Sequence, residues 1–254
     1  LGSEKILSEI AAEKGIDITP EPFVPMLPPV IMRREVMRKM DRLEPEDQRY
    51  ILGEDDQVFV GSAEHTMGPY HMDETIEEAE LPIRYIGYST AFRREAGTYG
   101  KDMRGILRVH QFDKLEMESF TTAESGADEQ KLIVGIQEYL VRSLGLPHRV
   151  VHVCTGDTGK PDYDQYDIET WVPSQNTYRE THTSDYMTDY QSRRLKTFYK
   201  SASGEKKLVH MNDATAFAIS RILIAILENY QNADGTVTIP EVLRPYMGGR
   251  ELIV

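Results

Sequence analysis

The sequence has little cysteine and no long apolar run, and both absences limit what the protein can be. Its 254 residues include one cysteine, Cys154, which excludes an intrachain disulfide and any CxxC zinc motif, so we expect no zinc. No apolar stretch approaches the ~20 residues of a membrane-spanning helix, since Arg221 interrupts the most apolar segment, 216–227. We therefore expect a reducing, cytoplasmic location and no membrane partner.

Basic residues are outnumbered by acidic ones. The chain has 29 lysines and arginines against 42 aspartates and glutamates, which gives a formal net charge of -13. An acidic chain does not bind nucleic acid through its net charge, so any such contact must be local. Neither common glycine-rich phosphate loop, GxGxxG or GxxxxGK, is present. The sequence begins without methionine or a leader, so we expect it to start partway through a longer protein.

The order of predicted elements indicates an α+β fold with a mainly antiparallel sheet flanked by helices, because runs of strands occur without βαβ alternation. Ser3 and Gly15 have the residue types of a helix cap and a helix stop. Predicted helices cover 4–14, 34–47, 126–145 and 214–231. Predicted strands cover 81–96, 105–121, 148–156, 165–173 and 208–213, and 57–65 is predicted as a strand that leads into a turn. Segment 181–195 is predicted as a loop followed by a short helix.

Positive charge is concentrated in the predicted hairpin 81–121. Its cations are Arg93, Arg94, Lys101, Arg104 and Arg108. Alternation along the returning strand predicts one face with Arg108, His110, Phe112 and Glu116. Arginines suit phosphate, an aromatic ring suits a base and a carboxylate suits an ammonium group, so this face suits a nucleotide plus an amino acid. An ordinary hairpin with solvated charges is the alternative.

Arg221 is the one charged residue between Ala214 and Leu227. A cation on a largely apolar helix is costly unless it has a partner. One interpretation is an internal salt bridge to Glu180 or Asp213. The other is a phosphate ligand at the edge of the same site as the hairpin.

Several segments resemble the seryl-tRNA synthetases of class II. "FRREAGTYGKDMRGILRVHQFDKLE" resembles the second signature motif of class II, and "AISRILIAILENYQNADGTVTIPEVLRPYMGG" resembles the third motif with the C-terminal segment. "FVPMLPPVIM" resembles the first motif, which implies a homodimer. "GSAEH", "LPIRY", "DIETWVPSQNTYRE", "YQSRR" and "LVHMNDAT" follow the order of the family. The resemblance extends from about Phe23 to Gly249 and implies the antiparallel sheet of class II synthetases.

The resemblance also implies roles for individual residues. The implied catalytic residues are Arg93, Glu116 and Arg221. Those implied for ATP are Arg93, Arg94, Glu95, Arg104, Arg108, Val109, Phe112, Glu180, Thr183 and Arg221, with Phe112 stacked on adenine and Glu180 and Thr183 holding Mg²⁺. Those implied for serine are Ser62, Ala63, Glu64, Arg93, Glu116, Asp213 and Thr215. Asp213 stands where the family usually has asparagine, and Ser62 where it usually has threonine.

The implied reaction is the activation of L-serine by ATP, followed by transfer of serine to tRNA(Ser). The implied contact with the tRNA acceptor end is the loop 97–104. We expect residues 1–254 to form a single catalytic domain, and this chain has no segment like the N-terminal coiled coil with which the family grips tRNA. Two rivals remain open: a paralogue that adenylates an amino acid for a carrier other than tRNA, and a non-catalytic regulatory protein on the same fold.

Overall fold

The computed structural model describes residues 3–95 and 105–254. Its helices in this part of the chain are α1 (Glu4–Lys14), α2 (Arg34–Lys39), α3 (Glu64–Met67), α4 (Gly126–Ser143), α5 (Tyr190–Leu195) and α6 (Ile219–Tyr230). Its strands are β1 (Val24–Met26), β2 (Ile31–Arg33), β3 (Ile51–Leu52), β4 (Gln57–Phe59), β5 (Thr75–Glu77), β6 (Ile83–Phe92), β7 (Gln111–Thr121), β8 (His148–His152), β9 (Asp164–Val172), β10 (Thr177–Thr188), β11 (Phe198–Lys200), β12 (Lys206–Leu208), β13 (His210–Ala218), β14 (Val237–Thr238) and β15 (Leu252–Ile253).

A seven-stranded sheet forms the centre of the fold. Its strand order is β1-β6-β7-β13-β10-β9-β8. The edge strand β1 runs parallel to β6, and every other neighbouring pair is antiparallel. This architecture confirms the predicted α+β class and its mainly antiparallel sheet.

Helices α1 and α4 pack on the sheet through apolar side chains. Leu7 and Ile10 of α1 and Ile133 of α4 are buried in one cluster with Met117 of β7. Ser3 caps α1 by accepting a hydrogen bond from the main-chain N–H of Ile6 at 3.4 Å. The predicted α1 boundary is therefore confirmed, and α4 matches the helix predicted over 126–145 within two residues.

The long hairpin is confirmed, but its returning strand is shorter than predicted. Strand β7 begins at Gln111, so the predicted strand positions of Arg108 and His110 are wrong. The main-chain N–H of Arg93 still bonds to the carbonyl of His110 at 3.0 Å. Phe112 and Glu116 do share one face, because β6 and β7 pair without a bulge.

Segment 181–188 was predicted as loop, and that prediction is wrong. It belongs to β10, which pairs with β9 and β13 on its two sides. Its many polar residues suggested a loop, yet the hydroxyl of Thr181 is buried and donates to the carbonyl of Ile168 at 3.1 Å. Threonine and tyrosine also favour strands, and that preference prevails once both edges are paired. The short helix that follows is confirmed as α5.

The predicted helix 214–231 begins too early. Residues 214–218 continue β13 and pair with β7, and α6 starts at Ile219. An apolar run does not by itself distinguish a buried strand from a helix. Helix α6 therefore has 12 residues, against 18 in α4.

Within residues 3–95 and 105–254, no helix has both the length and the apolar character that crossing a bilayer requires.

Candidate active site

A polar cavity lies over β7, β10 and β13 and beside the start of α6. It brings together most of the residues singled out from the sequence. These are Glu64, Arg93, Glu95, Arg108, Val109, Phe112, Glu116, Glu180, Thr183, Asp213, Thr215 and Arg221. They come from strands and segments far apart in sequence, so the fold, rather than local spacing, assembles the site.

Three other predicted residues do not line this cavity in the described structure, and a fourth lies outside the described residues. Ser62 and Ala63 are fully buried. Arg94 is exposed, and its main-chain N–H bonds to the carbonyl of Gln48 at 3.0 Å. Arg104, with the loop 97–104 predicted for tRNA, lies outside the described residues.

Arg93 follows directly after β6 and is held in place by three contacts. Its main chain pairs with the returning chain at His110, and its Nε donates to the carbonyl of Gly61 at 3.0 Å. Its guanidinium carbon lies 5.4 Å from the ring centroid of Phe112, within the range of a cation–π contact. Arg93 and Phe112 therefore form one unit at the loop end of the hairpin strands.

Glu95 and Arg108 form an ion pair across the hairpin beyond the ends of its strands. The Glu95 side chain is mostly buried, and that of Arg108 is partly exposed. Because both residues line the cavity, the pair leaves a cation and a carboxylate side by side at its edge.

On another wall, Arg221 contacts Glu180. The Nη1 atom of Arg221 donates to Glu180 Oε1 and to its carbonyl oxygen, both at 3.0 Å. The hydroxyl of Thr183 donates to the same Oε1 at 3.3 Å. Of the two salt-bridge partners predicted for Arg221, Glu180 is the one in contact in the described structure.

Gln137 of α4 fixes the strands beneath these residues. Its side-chain amide nitrogen donates to the carbonyls of Thr183 at 2.9 Å and Thr215 at 2.8 Å. The β10 ladder shifts register beside Glu180, and the β13 ladder shifts register after Thr215. A buried amide therefore ties together the two strands close to their irregularities, which fixes where Thr183 and Thr215 lie.

Glu116 is buried and paired with Lys114. The two side chains form an ion pair, and the ammonium group of Lys114 also donates to Ser62 Oγ at 3.1 Å. Burial raises the pKa of Glu116 to about 7, although Lys114 acts in the opposite direction. Glu116 therefore titrates near neutral pH.

Glu64, at the start of α3, is ionised at neutral pH. Burial would raise its pKa, but His65, Lys114 and Arg42 outweigh that effect and lower the pKa of Glu64 to about 2. Glu64 and Glu116 thus differ in pKa because their neighbours differ.

Arg42 lies deeper in the cavity, beside Asp213. The distance from Arg42 Nη2 to Asp213 Oδ2 is 3.1 Å. Burial raises the pKa of Asp213 to about 7, and Arg42 opposes this shift. Neither Arg42 nor Lys114 was among the predicted site residues.

A signal for Lys114 was available in the sequence, since it has the strand parity of Phe112 and Glu116. No local signal existed for Arg42, because its contact with Asp213 joins residues 171 positions apart.

Comparison with known proteins identifies the family of this fold. The family described as "tRNA synthetase class II core domain (G, H, P, S and T)" matches residues 53–230. A serine--tRNA ligase of Laribacter hongkongensis is 42% identical over 216 residues, which are 85% of this chain and 51% of that protein. One of Dictyoglomus thermophilum is 40% identical over 256 residues, which are 99% of this chain and 60% of that protein.

Solved structures give the same result. The crystal structure of seryl-tRNA synthetase from Pyrococcus horikoshii complexed with ATP matches with a TM-score of 0.88 and 39% identity, over 98% of this chain and 55% of that one. The crystal structure of cytoplasmic serine-tRNA ligase from Naegleria fowleri in complex with AMP matches with a TM-score of 0.85 and 36% identity. The match covers 98% of this chain and 58% of that one. The chain thus spans little more than half the length of the relatives it matches.

Proposed function

Because this chain belongs to the class II tRNA synthetase core domain family (G, H, P, S and T), we propose that it is the catalytic domain of a seryl-tRNA synthetase. It makes seryl-adenylate and pyrophosphate from L-serine and ATP, and then passes serine to tRNA(Ser). One observation carries this proposal: a single cavity brings Arg93, Phe112 and Arg221 together with Glu116 and Thr215. The relatives named serine--tRNA ligase support serine as the amino acid.

ATP binds against the hairpin in this proposal. Adenine stacks on Phe112, with Glu95 at its edge, and Arg93 holds the α-phosphate. Arg221 approaches the outer phosphates from α6. The contact between Arg93 and Phe112 supports this arrangement, because it puts a cation beside the surface on which a base would stack.

Serine binds deeper in the cavity. Its ammonium group meets the ionised form of Glu116, with Ser62 and Glu64 nearby, and its hydroxyl meets Thr215. The burial of Glu116 supports this role, since a carboxylate in a dry site attracts a cation more strongly than one in water.

The chemistry requires positioning rather than a protein nucleophile. A carboxylate oxygen of serine attacks the α-phosphorus, and a new P–O bond forms as the bond to the β-phosphate oxygen breaks and pyrophosphate leaves. Arg93 and Arg221 stabilise the charge that develops on the phosphates. In the second step a ribose hydroxyl of tRNA attacks the seryl carbonyl, and AMP leaves.

Glu180 and Thr183 fit a Mg²⁺ that accompanies ATP. Their side-chain oxygens lie 3.3 Å apart on the cavity wall, and oxygen is the donor that Mg²⁺ prefers. The described residues contain no group of three or more His, Cys, Asp or Glu side chains that could hold a metal. Mg²⁺ bound with a nucleotide takes several of its ligands from phosphate and water. When bound, the ion neutralises phosphate charge.

We extend the proposal to the domain and its partners. Residues 1–254 act as one catalytic domain that dimerises with a second copy. Edge strand β1 supports this, because Pro25 of β1 and exposed Leu27, directly after it, form an apolar surface with Tyr88. The acceptor end of tRNA binds near 97–104, and we infer a cytoplasmic location because the proposed tRNA substrate is found there.

The experiment that tests transfer is aminoacylation with radiolabelled serine, ATP, magnesium and a tRNA(Ser) transcript. We expect acid-precipitable seryl-tRNA, and none with a tRNA(Ala) transcript. If the protein releases pyrophosphate with serine but labels neither tRNA, the adenylation half of the proposal stands and the transfer half fails.

A further inference from the structure

Arg42 contacts aspartates from three separate parts of the chain. Its Nη2 atom lies 3.1 Å from Asp213 Oδ2, 3.1 Å from Asp162 Oδ1 and 3.9 Å from Asp185 Oδ2. Asp213 belongs to β13, Asp185 to β10, and Asp162 to the segment before β9. Arg42, Asp185 and Asp213 all line the cavity, so this cluster is part of its wall.

The turn after α2 aims Arg42 at this cluster. Asp41 has the left-handed φ of 61°, a conformation that aspartate tolerates better than most residues. Its carboxylate accepts hydrogen bonds from the hydroxyl of Tyr190 at 2.5 Å and contacts the ammonium group of Lys160 at 2.7 Å. The residue before Arg42 is therefore anchored to two distant segments, which fixes the main chain from which the Arg42 side chain extends.

Carboxyl groups outnumber cations at this end of the cavity. Its acidic residues are Glu64, Glu116, Asp185 and Asp213. Among the described residues, the cations that line this end are Arg42 and Lys114. Three buried carboxylate oxygens of these acidic residues have no hydrogen-bond partner, namely Glu64 Oε2, Asp185 Oδ1 and Glu116 Oε1, the last of which forms the ion pair with Lys114. Such oxygens make the pocket attractive to a hydrogen-bond donor or a cation.

Arg42 is a permanent positive charge in this setting. Burial alone would lower its pKa, but Asp213, Asp162 and Asp185 outweigh burial and raise the pKa of Arg42 well above its ordinary value. The arginine therefore neutralises part of the acidic wall at any pH at which the protein is folded.

We propose that Arg42 is a positioning residue that sets amino-acid specificity by neutralising and orienting Asp213. With Arg42 in place, the pocket takes a small amino acid whose side chain is a neutral hydroxyl. Without it, Asp213 is an uncompensated carboxylate two residues from Thr215, and the pocket favours a cationic side chain. This inference rests on the proposed function, because it concerns the amino-acid end of the same site.

The first test is Arg42→Gln, assayed by serine-dependent ATP–pyrophosphate exchange. We expect KM for serine to rise about tenfold, with kcat and ATP affinity changed less than about threefold, because the effect is confined to amino-acid binding. Arg38→Gln, four residues earlier on an exposed position of α2, is the matched control and should match wild type. An unchanged KM in folded Arg42→Gln protein overturns the inference.

The second test separates charge compensation from structural support. The probe is 2,3-diaminopropionate, which carries an ammonium group in place of the serine hydroxyl. Arg42→Gln should raise the ratio of 2,3-diaminopropionate to serine activation about tenfold, and adding Asp213→Asn should return the ratio to within about threefold of wild type. If the double variant has the same ratio of 2,3-diaminopropionate to serine activation as Arg42→Gln alone, Arg42 only supports the fold and the inference fails.

If Arg42→Gln does not fold, Asp213→Asn alone tests the inference. It leaves Arg42 paired with Asp162, and it should lower the ratio of 2,3-diaminopropionate to serine about threefold or more. An unchanged ratio overturns the inference.

A binding measurement distinguishes this inference from the proposed function. If wild-type protein shows no serine-dependent exchange, the proposed catalysis is wrong. The effect of Arg42→Gln is then measured by calorimetry with 5′-O-[N-(L-seryl)sulfamoyl]adenosine, a stable mimic of seryl-adenylate. Weaker binding by about tenfold supports the role of Arg42, and equal or absent binding in both proteins contradicts it.

Discussion

The guanidinium of Arg221 donates twice to Glu180, once to its side chain and once to its main chain, both at 3.0 Å. This contact ties the first turn of α6 to β10. The two sequence interpretations of Arg221, salt bridge and phosphate ligand, are therefore compatible, because the ion pair holds the arginine at the cavity wall.

Arg221→Ala tests the catalytic role of this arginine. We expect loss of adenylate formation by about a thousandfold or more, because a cation that stabilises developing phosphate charge is removed. The ion pair is partly exposed, so the free energy of unfolding should fall by no more than ~1 kcal/mol. Arg193→Ala, at an exposed i,i+4 pair on α5, is the control. Pyrophosphate exchange close to wild type would leave Arg221 only a structural role.

Phe112→Ala tests adenine stacking. Loss of the ring should weaken ATP binding by ~1–3 kcal/mol, and it also releases Arg93 from its cation–π contact. Phe112→Trp keeps an aromatic face and should retain most of the affinity. Calorimetric titration with ATP measures both variants, and equal affinity for wild type and Phe112→Ala would remove Phe112 from the ATP site.

The pKa of Glu116 predicts how serine binding depends on pH. That pKa is raised to about 7 by burial, so Glu116 is neutral below pH 7 and loses its attraction for the ammonium group. We therefore expect kcat/KM for serine to fall as pH decreases below about 7. Asp213 has a similar pKa, and its charge adds to the rise in the pKa of Glu116, so Asp213→Asn should keep the fall but move it to lower pH. A flat profile between pH 6 and 8 would contradict this role of Glu116.

Glu118 predicts a pH-dependent stability. It is fully buried, neither carboxylate oxygen has a hydrogen-bond partner, and burial together with Asp213 and Glu64 raises its pKa well above the ordinary value. A raised folded-state pKa means that ionisation opposes folding once the pH exceeds the unfolded pKa of ~4.3. Glu118→Gln should therefore stabilise the protein by ~1–3 kcal/mol at pH 8 and by little at pH 4.5.

Urea unfolding at the two pH values measures this difference, with exposed Glu205→Gln as the control. Equal unfolding free energies for wild type and Glu118→Gln at pH 8 would show that Glu118 is ionised in the fold without a penalty.

The sequence predicted elements whose signals are local. The cap at Ser3, the stop at Gly15 and the hairpin strands of β6 and β7 follow from residue types and alternation, and all are present. Segment 181–188 could not be predicted in the same way. Its polar residues signal a loop until the two neighbouring strands are in place, because only tertiary pairing satisfies them.

The site residues also differ in whether local or long-range contacts determine their positions. Phe112 and Glu116 could be placed on one face by strand parity, and Lys114 could have been added by the same rule. Arg42 could not, because its position depends on a left-handed turn at Asp41 and on contacts with Lys160 and Tyr190. Charge partners at large sequence separation come from the fold alone.

The measurement that tests the central claim most directly is ATP–pyrophosphate exchange by this chain with magnesium and each of the twenty amino acids in turn. The account predicts exchange that depends on serine and exceeds that with alanine, threonine or glycine. Exchange with a different amino acid, or none from folded protein that binds ATP, would contradict it.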